Sequence, residues 1–98
     1  MAISAKSEGN TQTISISGRF DFTSHNEFRD CYRNLQPGAA VKLDFSQCDY
    51  LDSSALGMLL LLREHLSGDD SHIEISGTNR EVRGILDVAN FDSLFKIS

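Results

Sequence analysis

The sequence predicts an α/β fold in which a mixed sheet carries its helices mainly on one face. Three observations point there. Four short segments alternate apolar and polar residues, so each strand has one wet face. Strands covered on both faces tend instead to be continuously apolar. Stretches with apolar residues at helical spacing lie between them, and a strand–helix–strand order fills the middle of the chain.

The first two strands are read from Ile3 and Ala5, then from Ile14 and Ile16, with a hairpin turn at Glu8-Gly9-Asn10. The first helix is expected to begin near Ser24, which has capping-box spacing to Glu27. Phe28, Cys31, Tyr32 and Leu35 then form one apolar stripe. The Gln36-Pro37-Gly38 turn ends that segment. Val41, Leu43 and Phe45 mark the third strand, and Ile73 and Ile75 the fourth. A helix over 53–66 separates them, so the three form a right-handed βαβ unit. A short connecting segment, Ser46 to Asp52, places the start of that helix at the carboxyl end of a strand, where open α/β sheets carry functional loops. A last helix is expected over 81–88, with Val82, Ile85 and Leu86 inward. Phe91, Leu94, Phe95 and Ile97 close the core as a short helix or strand.

The 98 residues suit one domain spanning 1–98. Net charge is −5, and the nine basic residues are scattered rather than gathered in a stripe. That argues against nucleic-acid binding and against direct contact with anionic membranes. Cys31 and Cys48 form no CxxC, and no histidine has ligand spacing to either. Free thiols are expected, with no metal and no cofactor. The N-terminus shows no signal-peptide pattern, so the cytoplasm is the expected location. The apolar run Ala55 to Leu62 is too short to span a bilayer.

The most informative stretch is Asp49-Tyr50-Leu51-Asp52-Ser53-Ser54-Ala55-Leu56-Gly57. Asp52 or Ser53 can cap the helix by accepting a backbone N–H bond. A serine at this terminus also suits phosphorylation, because phosphate there meets the positive end of the helix dipole. The domain would keep its fold, while a partner docked over the spot would meet a desolvated phosphate pressed against Asp52. Along the helix, Ala55, Leu59, Leu62 and Leu66 share one face, assigned to the core. Gly57, Leu60, Leu61 and Glu64 fall opposite. The two leucines either pack under a neighbouring segment or form an exposed docking patch. Catalysis has little support. Ser54 is not in a G-x-S-x-G elbow, and nothing places His25, His65 or His72 beside it.

Asp52-Ser53-Ser54-Ala55-Leu56-Gly57, following a strand that ends in Asp44-Phe45-Ser46, closely resembles the signature of the STAS-domain anti-sigma-factor antagonists. Gly18-Arg19-Phe20-Asp21 resembles the family's segment before the first helix. Asn79, Val82, Ile85 and Leu86, then Phe91, Leu94 and Phe95, fit its C-terminal pattern. Ala55 stands where many members have glycine.

The resemblance implies a four- or five-stranded sheet and a role in partner switching rather than catalysis. The unphosphorylated protein would bind an anti-sigma factor, often a serine kinase of the histidine-kinase-like ATPase fold. The kinase would phosphorylate Ser54, with Ser53 as the alternative, and a PP2C-type phosphatase would reset it. Asp21, Asp52, Ser53, Ser54, Gly57, Leu60 and Leu61 are the expected partner-contact residues. The rival readings are a STAS regulatory subunit of a transporter and a small-molecule-sensing module.

Overall fold

The computed structural model describes residues 2–98. Its elements are β1 (Ala2–Glu8), β2 (Thr11–Phe20), α1 (His25–Tyr32), β3 (Ala40–Leu51), α2 (Ser53–His65), β4 (His72–Ser76), α3 (Arg80–Val88) and β5 (Lys96–Ile97). Short 3₁₀ turns occupy Phe22–Ser24, Gly68–Asp70 and Phe91–Ser93. The strands form one five-stranded sheet in the order β1-β2-β3-β4-β5. β1 is antiparallel to β2, and every other pairing is parallel.

One face of the sheet is dry and the other wet. Ile14, Ile16, Val41, Leu43, Phe45, Ile73 and Ile75 are buried, while Thr13, Ser15, Lys42, Asp44 and Glu74 on the alternate positions retain solvent contact. The helices pack on the dry face. Their buried side chains are Phe28 and Tyr32 from α1, Ala55, Met58, Leu59 and Leu62 from α2, and Val82 and Leu86 from α3. Phe20 ties the layers together, with ring centroids 5.0 Å from Phe28 and 6.0 Å from Phe45. The expected α/β architecture, with helices on one face of a mixed sheet, is observed. The tail provides both expected alternatives, a 3₁₀ turn and a fifth strand.

Four local expectations are corrected. The segment expected to connect β3 to α2 is strand as far as Leu51: β3 runs on past the end of its pairing with β4 and pairs there with β2 alone, and only Asp52 lies between it and α2. Two register shifts each put an extra residue on β3, between the Ser15 and Ser17 pairs and between the Gly18 and Arg19 pairs. A bulge turns the strand so that inward residues no longer alternate strictly. Here Phe45, Cys48 and Leu51 are buried at every third position.

Second, the Ser24–Glu27 capping box does not form. The preceding 3₁₀ turn already holds Ser24 at φ −92° and ψ 0°, and its side chain makes no cap bond. A capping serine needs extended backbone. Asp21 takes that role one turn earlier.

Third, Leu35 lies beyond the end of α1, where it packs half-buried against the core. Fourth, Ala5 is exposed, because β1 is an edge strand and a methyl group reaches little cover there.

Candidate functional site

Register places two loops side by side. Phe20 pairs with Leu51 at the carboxyl ends of β2 and β3. The residues that follow, Asp21 and Asp52, therefore leave neighbouring strands about 4.8 Å apart. Each aspartate starts a helical turn. Asp21 Oδ1 accepts from the Thr23 amide at 3.0 Å and from the Thr23 hydroxyl at 2.6 Å. Those two bonds, with the Arg19 guanidinium nearby, hold the Asp21 carboxyl below the usual carboxylate range. Arg19 lies 3.6 Å from Asp21 and stacks 4.0 Å above the Tyr50 ring, its partner across the strands.

Of the two expected caps for α2, Asp52 is the one used. Its Oδ1 accepts from the Ala55 amide at 3.1 Å. The same oxygen accepts the Ser54 hydroxyl at 2.6 Å. The two serines therefore differ. Ser53 is exposed, whereas Ser54 is half-buried with its hydroxyl proton donated to Asp52. Both occupy the first turn of a thirteen-residue helix, where unpaired amides favour negative charge.

The opposite face of α2 is as expected from the sequence. Ala55, Leu59, Leu62 and Leu66 are fully buried, while Leu60 and Leu61 are 41% and 52% exposed. Gly57 is exposed between them and Ser54, and a Cβ there would have no atom within 4 Å. The two leucines are thus exposed to solvent and not packed under a neighbouring segment. Phe22, directly after Asp21, is 72% exposed, which sequence reasoning missed. The only clue was a phenylalanine outside any apolar stripe.

Asn79 braces this end of the sheet. It caps α3 at Val82 and donates to the Cys48 carbonyl at 3.4 Å. Among the described residues, no histidine pairs with Ser54, whose hydroxyl donates to Asp52. His65 contacts the Leu35 carbonyl at 3.0 Å, and His72 starts β4 at the far end of the sheet. Among the described residues, no group of three or more His, Cys, Asp or Glu is arranged to hold a metal ion. Cys31 and Cys48 are free thiols, each pushed above the usual thiol range by burial. No helix among the described residues is long and apolar enough to cross a membrane. Two open cavities of about 500 and 510 Å³ both border Thr11, at the opposite end of the strands from Ser54.

The family model described as "Mlab, STAS domain" matches residues 3–96. The chain belongs to the STAS family. It is 49% identical over 102 residues to a STAS-domain containing protein of Pseudomonas aeruginosa strain UCBPP-PA14, and the match covers all of both chains. Its STAS fold is similar to that of the anti-sigma factor antagonist SpoIIAA in its unphosphorylated form. That match has a TM-score of 0.76 at 17% identity and covers 99% of this chain and 87% of SpoIIAA. It is also similar to a sulfate transporter family protein from Wolinella succinogenes, with a TM-score of 0.77 at 15% identity, covering 92% of this chain and 77% of the other. The fold is thus found both in antagonists and in a transporter-family protein.

Proposed function

We propose that this STAS protein is an anti-sigma factor antagonist that works by switching partners and catalyses nothing itself. Unphosphorylated, it binds an anti-sigma factor that is also a serine kinase of the histidine-kinase-like ATPase fold. Phosphorylation of Ser54 weakens that complex, and a PP2C-type phosphatase restores it. Ser53 is the alternative acceptor. Asp21, Asp52, Ser53, Ser54, Gly57, Leu60 and Leu61 form the contact surface. The expected setting is the cytoplasm.

The observation that carries this reading is the Ser54 hydroxyl bond to Asp52 at the start of α2. Phosphorylation removes the donated proton and sets a group of about −1.5 to −2 charges beside a carboxylate. Two unit charges 4 Å apart repel by about 1 kcal/mol in water and about 4 kcal/mol at a partly shielded surface. In the free protein the phosphate turns outward to solvent and the helix amides, at little cost. Under a docked partner it has no such escape. The modification therefore acts on binding and spares the fold. SpoIIAA, which shares the fold, has been solved in a phosphorylated form as well.

The test compares Ser54→Ala with Ser54→Asp for binding to the partner that co-purifies from the native cells. Both variants are expected to fold, Ser54→Ala to bind as tightly as the parent, and Ser54→Asp at least tenfold more weakly. Equal affinities refute the switch.

A transporter-regulating role is the second reading, favoured by the likeness to the Wolinella protein. Stable co-purification with an ATP-binding cassette, insensitive to Ser54→Asp, is its signature.

A further inference from the structure

The geometry points to a second half of the contact surface, which we infer receives an acidic amphipathic helix of the partner protein. It rests on the partner-switching reading and supplies the chemistry of the partner. α1 follows β2 and α2 follows β3, so the two helices start at the same end of adjacent parallel strands and run side by side. Between them lies an open groove of about 470 Å³.

One wall of the groove is His25 and Arg29 of α1 and Arg33, which caps its end, spaced four apart. The other wall is Leu61, Glu64 and His65 of α2, and the ring of Tyr32 forms the floor. The His65 ring packs edge-on against Tyr32 at 5.2 Å. At about 100° per residue, Leu61 and His65 each lie within about 20° of Ser54 on the helix surface. Leu61 is about 10 Å further along the axis. The groove therefore lies about two turns further along the helix surface that carries the proposed phosphorylation site.

The charge of the groove opposes that of the molecule. The chain carries a net −5, counted with neutral histidines, yet the charged residues lining the groove are two arginines against Glu64. Arg33 is partly occupied by Asp30 at 3.4 Å. Arg29 has no carboxylate within ion-pair distance among the described residues. A partner helix with leucine-type residues towards Leu61 and Tyr32, and carboxylates towards Arg29 and Arg33, complements both features. Such a segment also accounts for the direction of the switch. A phosphate on Ser54 would repel an acidic helix laid along the same stripe, whereas it would attract a basic one.

The probe is a synthetic amphipathic helix of about 18 residues, roughly five turns, with leucines on one face and glutamates on the other. It is titrated into the full chain and followed by backbone amide shifts. A leucine/lysine counterpart and inorganic polyphosphate serve as comparisons. The acidic peptide is expected to shift His25, Arg29, Leu61 and His65. Arg29→Glu combined with Arg33→Glu, at two exposed positions, should weaken it about tenfold. Ser54→Asp should weaken it as well.

Four results overturn the proposal. They are shifts confined to other surfaces, equal binding of the lysine peptide, indifference to the charge reversal, and equal shifts with polyphosphate, which would make the groove a plain anion site. Failure here is distinct from failure of the switch. If Ser54→Asp releases the native partner while the charge reversal does not, the groove is wrong and the switch stands. The reverse pattern keeps the groove and removes the switch.

Discussion

Gly57→Ala should stabilise the protein and weaken partner binding at once. Glycine in the interior of a helix is about 1 kcal/mol less favourable than alanine, chiefly because the unfolded chain gains more freedom. Such a cost is commonly accepted where a neighbour sits too close for a side chain. Gly57 has no such neighbour: an added Cβ meets nothing within 4 Å. Nothing inside the molecule then offsets the gain, so the full value of about 1 kcal/mol is expected. For a chain of this size that raises the melting temperature by about 4–8 °C. Thermal unfolding followed by circular dichroism measures it. The same methyl group stands between Ser54 and Leu61, where the proposed partner must approach, and should weaken its binding. A lower melting temperature would refute the reading of open space at 57. A stabilised variant that binds its partner unchanged would remove Gly57 from the contact surface.

Gly77→Ala should have the opposite effect on stability. Its φ of +76° disfavours a side chain, and a Cβ would stand 2.9 Å from the Ser46 backbone nitrogen, so a loss of more than about 1 kcal/mol is expected in chemical denaturation. Asp52→Ala should cost about 1 kcal/mol through loss of the cap, while Asp52→Asn, which can still accept from the Ala55 amide, should cost much less. Equal losses in the two would show that the charge matters and not the cap. Cys48 should resist alkylation at mild alkaline pH and react on unfolding, since burial raises its pKa. The linked stability runs the same way. Above the ordinary thiol range the unfolded chain ionises while the native thiol stays protonated, so the native state binds more protons and stability falls as pH rises. Asp21 behaves oppositely at the acid end. Its lowered pKa contributes stability above the usual carboxylate range that is lost as pH falls through it, and a pH series of melting temperatures reads both limbs.

The sequence revealed most where one physical signal dominated. Period-two alternation at Val41–Leu43–Phe45 and at Ile73–Ile75 located two strands, because a strand with one wet face leaves that imprint. The core stripe of α2 followed from helical spacing alone, and all four of its residues are fully buried. The signal failed where the backbone departed from a regular period. The bulges in β3 put Cys48 and Leu51 in the core at a spacing no strand template recognises, so a continuous strand read as a connector.

At the start of α1, two capping solutions competed. Ser24 and Glu27 had the right spacing, but Asp21 bonded Thr23 first and wound the chain into a 3₁₀ turn, which left Ser24 helical. Of the candidate site, the motif and its helix position were legible. The pairing of Phe20 with Leu51, which sets Asp21 beside Asp52, is a matter of register between distant segments. Nor could spacing reveal that Ser54, and not Ser53, hydrogen-bonds Asp52, or that Phe22, directly after Asp21, stands exposed.

The most direct test of the central claim is the mass of the intact protein purified from its native cells with phosphatase inhibitors, followed by peptide mapping. The account predicts a fraction heavier by one phosphate, carried on Ser54 and removed by a PP2C-type phosphatase. Ser54 unmodified under every growth condition would contradict it.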